Sequence, residues 1–378
     1  MMDGPRRPRI EELPAVVELV RLVFDDPAGG LLSMPERFPY AMLPENLDNM
    51  YALFADGRPV SVMVTEPETL IVGRCRLPVG TLGMVCTHLD HRGRQHAGRV
   101  LQAAYDGLRR RGAVVTLISG WRSLYTASGG VRVWPHYEGT IQRAGFRIGD
   151  DASLAVERVS AGNRAEWVAL HDAEPVRFDW RPAWRDIVLP GLMETKVGTG
   201  LLVRRGGRAV AAACVLNPVV RSWPHMLLDW FGERRAAVVA ASRLMGELGI
   251  ERLRTLVVEQ DAAMVEALAA AGFTMKRLRP CPWTIKVLDF AGLLAGLGPH
   301  LSERLGGGGA SISATETGLR VRAGGAEYVT GDEATAARIM FALPEETEET
   351  LGGAPAAVRQ VLRRVFPVPL RHYGVNYL

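Results

Sequence analysis

Residues 85–113 read "VCTHLDHRGRQHAGRVLQAAYDGLRRRGA". The stretch opens as an apolar strand, breaks at residue 88 into His, Asp, Arg and Gly, and takes a helical period over residues 95–111. A helix N-terminus presents unpaired backbone N–H groups and a partial positive charge, which suit a phosphate. Small side chains at Gly93, Ala97 and Gly98 let oxygens approach the backbone, and Arg92 and Arg94 add charge-assisted hydrogen bonds. Several donors in succession fit a diphosphate better than one carboxylate. The alternative is a solvated Arg-rich loop whose small residues serve helix packing. Neither G-x-G-x-x-G nor G-x-x-x-x-G-K-[ST] is present, so neither a dinucleotide fingerprint nor a Walker loop explains the stretch.

Outward from this junction the chain alternates helix and strand. Residues 10–24 carry helical spacing with early acidic residues. Two strands meet at an Asp56-Gly57 hairpin turn, with further strands expected at 69–74, 82–88 and 113–119. A second unit repeats the order. It has a helix at "NRAEWVALHDAE", strands at "GLLVRRGG" and "RAVAAACVLNP", and a helix "RRAAVVAASRLMGELG" stopped by Gly249. Strand "RLRTLVVEQ", helix "DAAMVEALAAAGF" and strand "TMKRLR" follow, which points to an internal duplication. The tail differs, with an amphipathic helix at "FAGLLAGLGPHLSERL", alternating strands in "SISATETGLRVRAGGAEYVT" and a helix opened by Asp332. The fold class is α/β (α+β), with helices covering mixed sheets.

The 378 residues are enough for two or three domains, and an apolar share of 48% supports sizeable cores. Net charge is +4, from 45 basic and 41 acidic residues, with Lys only at 196, 276 and 286. No basic block or aromatic-basic stripe occurs, so no nucleic-acid partner is expected. The cysteines at 75, 86, 214 and 281 are scattered singly, without zinc or redox spacing. No apolar run of membrane-spanning length and no signal core are read, so a cytoplasmic protein with reduced thiols is expected.

The quoted stretch resembles the cofactor loop of the GNAT superfamily of acetyl-CoA-dependent N-acetyltransferases, Arg/Gln-x-x-Gly-x-Gly/Ala. Arg92-Gly93-Arg94-Gln95-His96-Ala97 fits with one departure, Gln95 where Gly is usual, and Leu89 replaces a common Pro. Gln95 is expected to adopt helical angles. The resemblance implies that Met84, Val85, Cys86 and Thr87 occupy a splayed strand holding the pantetheine arm of acetyl-CoA. It implies that residues 92–98 (Arg92, Gly93, Arg94, Gln95, His96, Ala97 and Gly98) cradle the diphosphate. The three-part layout is similar to the enhanced intracellular survival branch. That implies an acetyltransferase domain (1–157), a degenerate acetyltransferase-like domain (158–284) and a sterol carrier protein-like domain (285–378). "DWFGERRAAVVAA" lacks the glycine pattern, so no cofactor is expected in the second. The branch also implies a homo-oligomer, a hexamer.

Amine acetylation requires a hydrogen-bond donor for the thioester carbonyl, a base for the amine and an acid for the leaving thiolate. A backbone N–H near Cys86 is a candidate donor. By resemblance Tyr125 in "WRSLYTASGG" is the acid, and the terminal carboxylate, on Leu378, is the base. Tyr125 packing inertly is the alternative. Acceptors expected are a polyamine-like or aminoglycoside-like molecule or a lysine side chain. Two other functions are weighed, a lipid or sterol carrier and a CoA-binding regulator without turnover. Cys86 is read as a buried strand thiol, His88, His91 and His96 as a cluster without a metal ligand set, and Trp180, Trp184, Trp223, Trp230 and Trp283 as core or interface. "WPHYEG" at 134–139 is read as acceptor-site lining or a chain turn.

Overall fold

The computed structural model describes residues 1–25, 32–133, 136–149, 151–194, 197–218, 223–278, 281–306, 309–342, 344–371 and 374–375. Its strands in chain order are β1 (Met2–Arg6), β2 (Met50–Ala55), β3 (Arg58–Val72), β4 (Cys75–Thr87), β5 (Val115–Ile118) and β6 (His136–Gln142). They continue with β7 (Leu154–Arg158), β8 (Val176–Phe178), β9 (Gly198–Arg205), β10 (Arg208–Leu216), β11 (His225–Gly232) and β12 (Arg252–Val258). The last are β13 (Thr274–Arg277), β14 (Thr284–Val287), β15 (Ser311–Thr315), β16 (Gly318–Ala323) and β17 (Ala326–Val329).

The chain forms two compact units. The first comprises Met1–Val23, Pro44–Pro135 and Arg279–Leu370. Its main sheet runs β1-β2-β3-β4-β5-β14. The β2–β3 hairpin turns at Asp56 and Gly57, whose φ of 49° and 78° are the left-handed pair that a two-residue turn demands. The strands expected at 69–74 and 82–88 prove to be parts of the long β3–β4 hairpin, whose register is continuous from Leu70↔Leu77 out to Thr65↔Leu82. Pro67 lies beyond Val64, the last β3 residue paired with β2, so its missing N–H removes no bond from that ladder.

Helix His96–Arg110 crosses from β4 to the parallel strand β5. Its buried Val100, Leu101, Ala104 and Tyr105 pack in one cluster with Leu53, Met63, Leu82 and Ile118. Two glycines set how closely it lies. A Cβ on Gly107 would fall 1.6 Å from the Tyr51 hydroxyl, and one on Gly80 would fall 2.4 Å from Leu108 Cδ2. The same unit carries the meander β15-β16-β17, covered by helices Glu333–Phe341 and Ala356–Val365. Asp332 caps the first of these helices through Thr335 N–H at 2.6 Å. The stretch "FAGLLAGLGPHLSERL" forms two helices, Phe290–Gly296 and Gly298–Leu305, instead of one.

The second unit comprises Phe24–Leu43, His136–Leu278 and Arg371–Leu378. Its sheet runs β13-β6-β12-β11-β10-β9-β7. Helix Arg234–Leu248 crosses from β11 to the parallel strand β12 and ends at Gly249, φ +65°. Behind the sheet lies an aromatic core of Trp167, Trp180, Trp184 and Phe231, with His171 stacked on Trp180 at 3.5 Å.

These units do not coincide with the consecutive segments 1–157, 158–284 and 285–378. β6 and β7 belong to the second sheet, and β14 belongs to the first. The physical reason is the same on both sides. Each parallel strand, β5 or β12, needs a partner on its far edge, and an antiparallel strand from a distant part of the chain supplies it: β14 pairs β5 through Ile285↔Leu117, and β6 pairs β12 through Leu253↔Ile141. From His136 onward "WPHYEG" is therefore strand β6 and not a turn, and Trp134 and Pro135 lie outside the described residues. Trp180, Trp184, Trp230 and Trp283 are buried, as a core reading requires, while Trp223 is 55% exposed, which leaves only the interface half of the core-or-interface reading for it. Among the described residues no helix is long and apolar enough to cross a membrane.

Candidate functional site

The site forms where β4 leaves β5. The two strands pair in parallel only from Val79↔Val115 to Leu82↔Ile118. From Gly83 onward β4 follows β3 alone. Along that side Val64 pairs Gly83 but Val62 pairs Cys86, so Met84 and Val85 together stand opposite Met63. This is a bulge, and Met84 takes φ +50° within it. A bulge bends a strand and re-aims its backbone groups. The result is a strand with one ladder on β3 and one edge turned away from β5, and it carries Met84, Val85, Cys86 and Thr87.

Past β4 the chain makes one short turn over Leu89–His91, with His88 Nδ1 accepting from Asp90 N–H at 3.3 Å. Arg92 Nε donates to the Thr87 carbonyl at 3.2 Å, which folds the loop back over the strand end. Arg92, Gly93, Arg94 and Gln95 are all exposed. Among the described residues neither arginine pairs with a carboxylate. Gly93 has φ +76°, and no atom lies within 4 Å of where its Cβ would be. The glycine is thus required by its backbone angle and leaves clear space above the loop.

Gln95 departs from the expected helical angles. Its φ of 59° and ψ of 14° place it in the left-handed region, immediately before helix His96–Arg110. Glycine is usual there because a side chain costs about 1–2 kcal/mol in that conformation. The loop keeps its shape in spite of Gln95, and the helix's first amides still point at the loop. Ala97 and Gly98 are half-buried in the first turn, and the nearest atom to a Cβ on Gly98 would be Leu124 Cδ1 at 3.9 Å. His96 is 9% exposed and its Nδ1 has no hydrogen-bond partner among the described residues. Burial, with Arg99, His91 and Arg94 nearby, holds its imidazole below the ordinary histidine range. Its ring is 6.2 Å from His91, which is 5.8 Å from His88. Among the described residues no group of His, Cys, Asp and Glu could hold a metal ion.

Tyr125 lies on helix Ser123–Ala127, just after β5, and is 4% exposed. It packs in one cluster with Leu82 and Ile118, the last residues paired before the strands part. A Cβ on Gly120 would fall 2.9 Å from Tyr125 Cε2 and 3.6 Å from its hydroxyl oxygen. Gly120 therefore makes room for this ring, a role the sequence reading missed. Its only signal was a lone glycine closing the strand "AVVTLIS". The left-handed Met84 was missed too, and nothing in "LGMVC" announces it. Cys86 is 3% exposed, and burial pushes its thiol up to about 12. It is a buried strand thiol and no nucleophile at neutral pH. Leu378 lies outside the described residues.

Residues 5–139 match the acetyltransferase (GNAT) domain. No curated protein matches the chain by sequence. Solved structures share the fold over nearly the whole length. A conserved protein of unknown function from Enterococcus faecalis, described as a probable N-acyltransferase, superposes with a TM-score of 0.70 at 14% identity, covering 99% of this chain and all of that one. Eis1 from Mycobacterium abscessus gives 0.64 at 13% identity, covering 99% of each chain. N-myristoyltransferase of Saccharomyces cerevisiae, with bound myristoyl-CoA, gives 0.52 at 9% identity over 75% of this chain and 77% of its own. These neighbours show a GNAT-like fold, and the domain match supports an acyltransferase enzyme. The match ends at residue 139, three residues before the end of β6, which lies in the second sheet.

Proposed function

We propose that the first unit is an acetyl-CoA-dependent N-acetyltransferase that passes acetyl directly to a primary amine while both substrates are bound. The observation that carries this reading is the junction itself. A bulged strand edge turned away from β5 leads into a positive-φ glycine, two guanidiniums that pair with no carboxylate among the described residues and a helix N-terminus. That donor set fits the diphosphate of coenzyme A, and the clear space at Gly93 fits its close approach. Bound acetyl-CoA would supply an activated acyl thioester.

The chain's own groups would do the rest. Arg92, Arg94 and the amides opening helix His96–Arg110 hold the diphosphate, while the β4 edge at Met84, Val85, Cys86 and Thr87 aligns the pantetheine arm. Such alignment supplies several kcal/mol of rate enhancement. A bulge amide near Cys86 steadies negative charge on the carbonyl oxygen. Tyr125, at the end of β5, gives its hydroxyl proton to the departing sulfur. The carboxylate of Leu378 takes the proton from the amine.

Thiol release from acetyl-CoA over a panel of polyamines, aminoglycosides and lysine peptides tests the reading. Tyr125→Phe keeps the ring and should lower kcat by roughly 100-fold or more with KM for acetyl-CoA nearly constant. Unchanged kcat removes Tyr125 from the chemistry. If no amine gives thiol release, the protein is a coenzyme A-binding regulator. Deleting Leu378 should likewise stop turnover while calorimetric binding of coenzyme A persists. A truncated enzyme that keeps its rate excludes the carboxylate as base.

A further inference from the structure

The second sheet repeats the plan of the first up to one point. In each, an antiparallel meander leads through a helix to a parallel strand, and the meander's last strand is bulged. On β11 the extra residue is Leu228, because Cys214 pairs Asp229 while Val215 pairs Leu227. β11 pairs β12 only over residues 225–227 but stays on β10 to Gly232. From Leu228 onward it therefore turns one edge away from β12, as β4 turns one from β5.

This second edge is closed by side chains. Trp230 N–H donates to Asp229 Oδ1 at 3.0 Å, and the Trp230 carbonyl accepts from Arg371 Nη2 at 2.5 Å. Gly232 N–H donates to Glu174 Oε1 at 2.8 Å, and the Gly232 carbonyl accepts from Arg234 Nη1 at 2.9 Å. Two of these partners do more than cover backbone. Arg234 is locked to Glu174 and Asp261, and Arg371 donates to Asp229 Oδ1 at 2.6 Å. Nor is there a loop for a diphosphate. Residues 88–95 part β4 from its helix, whereas Glu233 alone parts β11 from its own.

Arg371 belongs to the chain's last segment, and that segment is gripped at three points. The Arg371 side chain is buried among Asp229, Glu174 and Asp261, with its guanidinium 5.4 Å from the Trp230 ring and 5.7 Å from Phe231. Val375 N–H donates to Asp229 Oδ2 at 3.0 Å, so one buried carboxylate holds both ends of the segment. A Cβ on Gly374 would fall 1.8 Å from that oxygen, so only glycine fits. The Val375 side chain is fully buried in the core of Trp167, Trp180, Trp184 and Phe231.

We propose that the opened strand of the second unit is a peptide-binding site, and that its ligand is the chain's own segment 371–375. The recognised chemistry is Arg-x-x-Gly-Val: a cation for the Asp229, Glu174 and Asp261 pocket, a residue without Cβ against Asp229, and a small apolar side chain for the aromatic core. What the first unit leaves open for a soluble ligand, the second fills with a tethered one. The site is independent of whether the first unit transfers acetyl.

The test uses a chain ending at Leu370 and the synthetic octapeptide Arg371–Leu378. The shortened chain should melt roughly 10 °C lower, since Asp229 and Glu174 lose a buried cation. The octapeptide should bind it and restore the melting temperature. Octapeptides with Arg371→Ala or Gly374→Ala should bind at least ~100-fold more weakly. Should the shortened chain be insoluble, limited proteolysis of the full chain gives the same reading: the wild-type tail resists cleavage, and Arg371→Ala exposes it to cutting at least ~10-fold faster. An unchanged melting temperature on truncation, equal binding of the Arg371→Ala peptide, or equal cleavage of both full-length tails overturns the proposal.

Discussion

Replacing Arg92 and Arg94 together by glutamate should abolish the calorimetric heat of coenzyme A binding while the protein stays folded. On the proposed reading each guanidinium would make a charge-assisted contact with a phosphate, worth about 1.5–3 kcal/mol. Losing both removes about 3–6 kcal/mol, a factor of roughly 100 to 10,000 in affinity. Reversal then adds two negative charges beside a dianion, which pushes the loss beyond simple deletion. The fold has little to lose, because both side chains are exposed and, among the described residues, the one side-chain hydrogen bond removed is that from Arg92 to the Thr87 carbonyl. The melting temperature should therefore shift by no more than a few degrees. Undiminished heat from a folded double variant would show that the strand-to-helix junction does not grip the diphosphate, and the acetyltransferase reading would lose its footing.

That junction was legible because its features are local. A turn such as Asp56-Gly57, a cap such as Asp332 and a stop such as Gly249 each act within a few residues, and each stands where the sequence places it. The Arg-Gly-Arg loop is of the same kind. Gln95 shows the limit even there. A glutamine has no sequence mark for left-handed φ, and the loop's closure around Arg92 and Gly93 overrides its preference for helical angles. Long strands were legible only in part, since Pro67 breaks the pattern of β3 without breaking the strand. Partnership between strands far apart in the chain was not legible at all. Ile285 and Val287 alternate like many short strands, and nothing in "TIKV" names Leu117 and Val115 as partners some 170 positions away. The tail clamp escaped for the same reason: Asp229 and Arg371 are ordinary residues until the fold brings them together.

The exchange of strands makes a strong prediction about where the chain can be cut. Residues 1–157 expressed alone should fail to give a cooperative thermal transition, although they contain the whole acetyltransferase match at 5–139. That fragment lacks β14, so β5 loses its outer ladder and Ile285 and Val287 leave a sheet in which they are 0% and 4% exposed. Burial of two such side chains is worth about 1.5–3 kcal/mol each. The lost ladder bonds add about 1 kcal/mol apiece. Against a total stability of about 5–15 kcal/mol this is decisive. The fragment also carries β6 and β7 without the sheet that pairs them, leaving bare strand edges that favour aggregation. The contrasting chain joins residues 1–135 to 279–370 by a short linker. Described residues near the junction already meet, since Val131 and Ile285 exchange backbone hydrogen bonds at 2.8 Å and Arg132 Nε donates to the Cys281 carbonyl at 2.6 Å. It should fold and bind coenzyme A with near-native affinity, whereas 1–157 should do neither. A cooperative melt and retained binding by 1–157 would mean that β14 is dispensable and that the site is built by consecutive sequence alone.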